Sequence, residues 1–187
     1  MDEIEVEIED IREENLQDIP AHCRGCVYWE FPEEFEKAKI DKSEIQELDL
    51  EEQKREWFVQ TMKEFGTCGK IVYHEGKPVA YAQFAPSECL PNTKEKGSKV
   101  VGTGKEGVVF LSCLYVADVS LRRRGLGEVL LKNIIDDLKM RGFRGVETIA
   151  RRGDPNNPSG PLELYIKNGF TFRDKTNPDY PLLRLFL

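Results

Sequence analysis

The sequence predicts an α/β (α+β) domain, a mixed sheet with helices between its strands. Three observations carry this reading. The run Val108–Val116 is wholly apolar but for Ser112, and is followed by a basic, glycine-containing turn and then an amphipathic segment. That sequence of features reads as buried strand, turn and helix. The segments 68–75 and 78–85 are strand-like and meet at Gly76-Lys77, a hairpin signal. The remaining elements alternate so that the whole order is β, α, α, β, β, β, α, β, α, β, β, which calls for helices packed on a mixed sheet.

Each element has its own reason. Ile4, Val6 and Ile8 alternate with Glu5, Glu7 and Glu9, the pattern of a half-buried strand. A short helix is expected near Glu13–Ile19, then a compact loop over Ala21–Pro32 rich in aromatics and cysteine. Residues 43–65 read as helix, with Ser43 as N-cap, Gln46 completing a capping box, and the charged stretch Asp49–Glu56 breaking it into two pieces. The polar stretch 86–106 is too long for a mere connector and is expected to be a lid or substrate loop. Leu126, Val129, Leu130, Ile134 and Leu138 fall at helical spacing, and Gly142 ends that helix. Strand 145–150, a short helix over 161–168 opened by Pro161, and two closing strands in GFTF and PLLRLFL complete the chain.

Composition narrows the function classes. A chain of 187 residues fits one domain and buries about 70% of its unfolded surface, enough to fold without staples. The longest run free of Asp, Glu, Lys and Arg, Gly107–Ala117, is half of what a membrane span needs. The acidic start MDEIEVEIED opens no apolar core, so a cytoplasmic protein is expected. Net charge is −7, yet it is uneven: residues 1–18 carry −8 and residues 120–187 carry +5. An acidic whole argues against nucleic acid as partner, while a basic last third suits a small polyanion. Five cysteines, an odd number, argue against a disulfide framework. Cys68 and Cys113 read as small core residues.

Two motifs carry chemistry. Arg122-Arg123-Arg124-Gly125-Leu126-Gly127 lies between the apolar strand and the amphipathic helix. A helix N-terminus offers unpaired N–H groups, the glycines admit an anion to the backbone, and the arginines add forked donors. A diphosphate is the expected ligand. The Lys-Ser/Thr ending of a nucleotide P-loop and the third glycine of a dinucleotide fingerprint are both missing. Downstream, Tyr165 and Gly169 sit in Leu164-Tyr165-Ile166-Lys167-Asn168-Gly169-Phe170, where the tyrosine reads either as core packing or as a phenol that donates a proton in a cleft.

The pair, RxxGxG behind an apolar strand with YxKxGF downstream, resembles the GCN5-related N-acetyltransferase (GNAT) superfamily. The Cys23-x-x-Cys26 loop followed by Tyr28-Trp29-Glu30 resembles a little-characterised prokaryotic subset of it. The resemblance implies one domain over 1–187 with a mostly antiparallel sheet and a central splayed strand pair. Residues 1–65 would form the acceptor side and 66–187 the cofactor-binding core. It implies acetyl-CoA as co-substrate, with its pyrophosphate on Arg122, Arg123, Arg124, Gly125, Leu126 and Gly127 and its pantetheine arm along Leu114, Tyr115 and Val116. Tyr165 would protonate the departing thiolate as an acceptor amine attacks directly, without covalent enzyme intermediate or metal.

Three departures matter. The stretch Val116–Arg122 lacks the family's proline and is one residue longer. Pro158 replaces a common asparagine, leaving Asn157 and Ser159 to take over its hydrogen bond. No base matches a motif, and Glu147 on the strand beside the cleft is the candidate. The acceptor is expected to be a small amine or amino-acid-like molecule lined by Tyr28 and Trp29, in a monomer or homodimer. Two readings of other classes stand beside this one: a non-catalytic acyl-CoA-binding regulator, and a metal or redox module at Cys23 and Cys26, against which a plain packed loop is favoured.

Overall fold

The computed structural model describes residues 4–40, 44–96, 101–154 and 156–187. Seven strands form one sheet in the order β1-β2-β3-β4-β5-β7-β6. They are β1 (Glu7–Asp10), β2 (Gly69–His74), β3 (Lys77–Ala85), β4 (Val108–Val116), β5 (Gly145–Ile149), β6 (Thr171–Asp174) and β7 (Leu182–Phe186). All neighbours are antiparallel except β4 and β5. A parallel pair needs a crossover, which α5 (Leu126–Met140) supplies. The other helices are α1 (Ala21–Arg24), α2 (Pro32–Ala38), α3 (Glu44–Phe65), α4 (Asn92–Lys96) and α6 (Leu162–Lys167). No described helix is long and apolar enough to cross a membrane.

The sheet has a core on each face. On one, Leu130, Ile134 and Leu138 of α5 pack on Val72, Ala82, Phe84, Val109 and Leu111. On the other, Trp57 and Phe58 of α3 pack with Ile71, Tyr81 and Phe110. Burying an aromatic or branched aliphatic side chain stabilises by about 1.5–3 kcal/mol, so these two layers supply the main drive to fold. A β-bulge decides which side chains reach which face. Gln83 pairs with Cys113 but Phe84 pairs with Leu111, so Ser112 is the extra residue of β4. The bulge reverses the alternation. Beyond it, Leu114 and Val116 join the α5 core, while Cys113 and Tyr115 turn to the face of Phe110.

Several expectations are corrected. The first strand covers only Glu7–Asp10. The loop Ala21–Pro32 contains the short helix α1 and leads directly into α2, which the sequence reading missed. Helix α3 is continuous through Asp49–Glu56. Its expected cap at Ser43 and Gln46 lies outside the described residues. The hairpin turn falls at Glu75-Gly76, both with positive φ, one residue before the expected place. The stretch 86–106 carries two single-turn 3₁₀ helices and α4. Within its described part the Gly102 N–H donates to Glu147 and Asn92 Nδ2 to the Tyr28 carbonyl, which tie it to the body, while the Gly104 N–H donates to Glu88 inside the stretch itself.

Candidate active site

The site begins where β4 and β5 part. Their pairing covers only Val108–Phe110 against Gly145–Glu147, and the second half of β4 has no β5 partner. Residues 156–160 dip into the resulting fork. There the Leu114 N–H donates to the Pro158 carbonyl at 2.8 Å, and the Gly160 carbonyl accepts from the Arg151 N–H at 3.0 Å. A cavity opens on each side of this loop, and Asn157 lines both.

The first cavity, of about 410 Å³, runs along the α5 side. Leu114, Tyr115, Val116, Arg122, Arg123, Gly125, Leu126, Gly127 and Asn157 line it. The turn that forms its rim needs unusual backbone. Arg123 has φ 62° and Gly125, the N-cap of α5, has φ 90°. The latter favours glycine, since other residues are strained there. A Cβ at Gly127 would reach Leu114 and Leu164 at 3.5 and 3.6 Å, so its absence keeps open the space between those side chains. The N–H groups of Leu126 and Gly127, in the first helical turn, have no intrahelical acceptor. Positive groups surround this end. Glu128 in the same turn is engaged by Lys167 at 2.6 Å and Lys132 at 2.9 Å. Its hydrogen bonds to those lysines pull its pKa down to about 2.

The three arginines divide their work. Arg122 is turned inward: Nε donates to the Val116 carbonyl at 2.9 Å, one Nη to Asn156 Oδ1 and the other to the Tyr115 hydroxyl, each at 3.0 Å. It ties the end of β4 to the fork loop and leaves the exposed Arg123 as the arginine open to a ligand on the rim. Arg124 is exposed and lines neither cavity.

The second cavity, of about 580 Å³, lies on the α3 face. Tyr28 and Trp29 line it, with Phe35, Tyr81, Tyr180, Lys54, Ser159 and three thiols, Cys23, Cys26 and Cys113. Burial pushes the Cys23 thiol up to about 12 and Cys113 well above its ordinary value. Both therefore stay protonated at neutral pH, so neither is a ready nucleophile in the free protein. Among the described residues no group of three or more His, Cys, Asp or Glu is placed to hold a metal ion.

One expected residue, Glu147, stands elsewhere than foreseen, and Tyr165 takes the core position that was one of its two readings. Glu147 is fully buried and faces neither cavity. One carboxylate oxygen accepts from Arg184 at 2.7–2.8 Å and the other from the Gly102 N–H at 2.7 Å. A carboxylate so occupied cannot serve as base in the cleft, and β5, buried at all five residues, has no solvent face to offer. Tyr165 is also fully buried, packed edge-on against Phe170. Its hydroxyl donates to the Ser159 carbonyl at 2.8 Å, directly beneath the fork loop. Burial raises its pKa, so the phenol keeps its proton. A Cβ at Gly160 would lie 2.6 Å from that hydroxyl, so only glycine lets the loop rest on it.

The sequence reading missed a buried polar network behind the second cavity. Lys54 Nζ donates to Glu30 Oε1 at 2.5 Å, Gln83 donates to the same oxygen, and the Tyr81 hydroxyl donates to Gln83 at 2.5 Å. Its members come from α3, the loop before α2, and β3. No short motif links them, and only a lysine on the apolar stripe of α3 could have signalled the group.

Comparison with known proteins fits this geometry. A family model described as "Acetyltransferase (GNAT) family" matches residues 26–170. Among curated proteins no significant match is found. Solved structures share the fold across nearly the whole chain. The paiA N-acetyltransferase of Thermoplasma acidophilum, in complex with coenzyme A, is 15% identical with a TM-score of 0.60, over 98% of this chain and 100% of that one. The ribosomal-protein-alanine N-acetyltransferase of Brucella melitensis is 20% identical with a TM-score of 0.60, over 97% and 99%. The yncA protein of Salmonella typhimurium, solved with acetyl-CoA, is 17% identical with a TM-score of 0.60, over 97% and 94%. With its strands parting above a glycine turn, and with most of its length matched by one family model, the chain belongs to the GNAT acetyltransferase family.

Proposed function

We propose that the protein transfers an acetyl group from acetyl-CoA to a small primary amine. The observation that carries this reading is the fork: an unpaired edge of β4 runs from the glycine turn to a point where two cavities meet. Residues 66–187 supply the donor side. The first-turn N–H groups of α5 and Arg123 take the diphosphate, where dipole and charge both favour an anion. The pantetheine arm follows Leu114, Tyr115 and Val116, with Asn157 beside it. The Pro158 carbonyl on the Leu114 N–H marks the place for an acyl oxygen, which that amide holds as charge develops on it. Residues 1–65 supply most of the acceptor side, through Tyr28, Trp29, Phe35 and Lys54.

The amine nitrogen forms its bond to the thioester carbon, the carbon–sulfur bond breaks, and the sulfur leaves with a proton. Tyr165 supplies that proton. Its hydroxyl carries a proton in the resting site, held to the Ser159 carbonyl, and that hydrogen bond is exchanged for one to the sulfur when the fork loop yields to the donor. The amine's own proton goes to solvent, since Glu147 is sealed away, and solvent returns a proton to the Tyr165 phenolate to close the cycle. The test is release of free thiol from acetyl-CoA in the presence of amines, in the protein and in Gly125→Glu. The native chain is expected to release thiol and the variant not to; equal release would place the donor elsewhere.

A further inference from the structure

The second cavity holds one cation, and its surroundings say what it can bind. Lys54 is 3% exposed and lines the cavity. An ammonium has three N–H donors. Glu30 takes one at 2.5 Å, and no other oxygen or nitrogen partner is found among the described residues. Its other neighbours include the rings of Trp57 and Phe58, each at 5.5 Å, and the thiols of Cys26 and Cys113. Burial works against its charge, but Glu30 beside it prevails and the pKa is raised, so Lys54 remains an ammonium. A buried donor without a partner is costly, and a ligand that offers an acceptor there gains affinity.

The charge count limits that acceptor. Glu30 already neutralises Lys54, so a ligand carboxylate would leave an excess negative charge in a dry site, which is unfavourable. No Asp or Glu lines the cavity among its described residues, so its wall offers no carboxylate of its own to a second ammonium on the ligand. The walls are aromatic. Tyr28 makes edge-to-face pairs with Trp29 at 4.9 Å and Phe35 at 5.1 Å, and Tyr81 and Tyr180 complete the lining. Such walls favour a flat ring.

We propose that the acceptor is an aromatic primary amine bearing one uncharged oxygen, a phenol or a carbonyl, which Lys54 holds inside the second cavity. This rests on the assignment of that cavity to the acceptor. The test uses tyramine, phenethylamine, phenylalanine and spermidine as probes, titrated calorimetrically with and without coenzyme A. Tyramine is expected to bind about tenfold more tightly than phenethylamine, the value of one hydrogen bond to a charged donor, with phenylalanine and spermidine weaker still. The double variant Glu30→Gln/Lys54→Met keeps an acceptor for Gln83 and removes both charges. It should bind the two aromatic amines equally. Equal binding of tyramine and phenethylamine by the native chain, a preference for spermidine or phenylalanine, or no binding of tyramine overturns the proposal, whether or not the variant folds. The melting shift given by coenzyme A reports the donor site separately. Tyramine binding without that shift would refute the donor assignment alone, and the shift without tyramine binding would refute this inference alone.

Discussion

The two cavities share one loop but are made of different material. The first cavity, the proposed donor side, is framed by strand edge, glycine turn and helix N-terminus, contributed by residues between 114 and 167. The second, the proposed acceptor side, is built from side chains brought together from the loop around Cys23, from α3, β3 and β4, and from the chain near Tyr180. A backbone site is fixed by dihedral angles and tolerates changes of neighbouring side chains. A side-chain site is changed by a single substitution. One fold can therefore keep its donor while its acceptor drifts.

The comparison breaks most sharply at Gly125. Gly125→Glu places a side chain on a residue with φ 90° and a negative charge at the anion end of α5. Thermal stabilisation by coenzyme A, which follows from binding the folded state alone, should vanish, while tyramine binding in the other cavity persists. Loss of both would mean that the cavities are not independent.

Tyr165→Phe is next. It removes the hydroxyl beneath the shared loop and keeps the ring. Turnover should fall by about 10²–10⁴-fold, read in single-turnover kinetics, with acetyl-CoA affinity little changed. An unchanged rate would make Tyr165 a support for the loop only.

Glu147→Ala separates structure from chemistry. It leaves Arg184 and the Gly102 N–H without their partner. Breaking such a buried pair destabilises by about 3–5 kcal/mol, seen in denaturant unfolding. A variant of native stability that had lost only activity would restore Glu147 as a base.

The smallest effect concerns Glu128. Its folded pKa is lowered to about 2 through Lys167 and Lys132, so its contribution is present above the ordinary carboxylate pKa and is lost as pH falls from there toward 2. Glu128→Gln should lower the melting temperature slightly at neutral pH, with the difference from the native chain closing as pH falls toward 2. A larger change near pH 7 would point to another role.

This division also explains what could be read in advance. Val108–Val116, the glycine turn and α5 are contiguous, and local patterns describe contiguous structure well; the residues lining the first cavity follow from them. The acceptor side is not contiguous. Along α3 the buried positions include Leu50, Lys54, Trp57, Phe58 and Thr61. A lysine in that stripe made the charged stretch look like a break in the helix, and the same lysine is the cation of the second cavity. Glu147 misled for a related reason: a charged residue on a strand suggests a solvent face, but Arg184 on the neighbouring β7 satisfies it inside. The Ser112 bulge, which turns Cys113 and Tyr115 to the Phe110 face and so brings Cys113 to the second cavity, leaves no mark in an unbroken apolar run.

The central claim is that the edge of β4 beyond the fork receives the acyl group in place of Pro158. The most direct measurement is the amide NMR spectrum during titration with acetyl-CoA and, separately, coenzyme A. The account predicts that the Leu114 N–H, now bonded to the Pro158 carbonyl, shifts among the most of all amides, and that acetyl-CoA moves it further than coenzyme A. A Leu114 amide that stays in place while both ligands bind would contradict it.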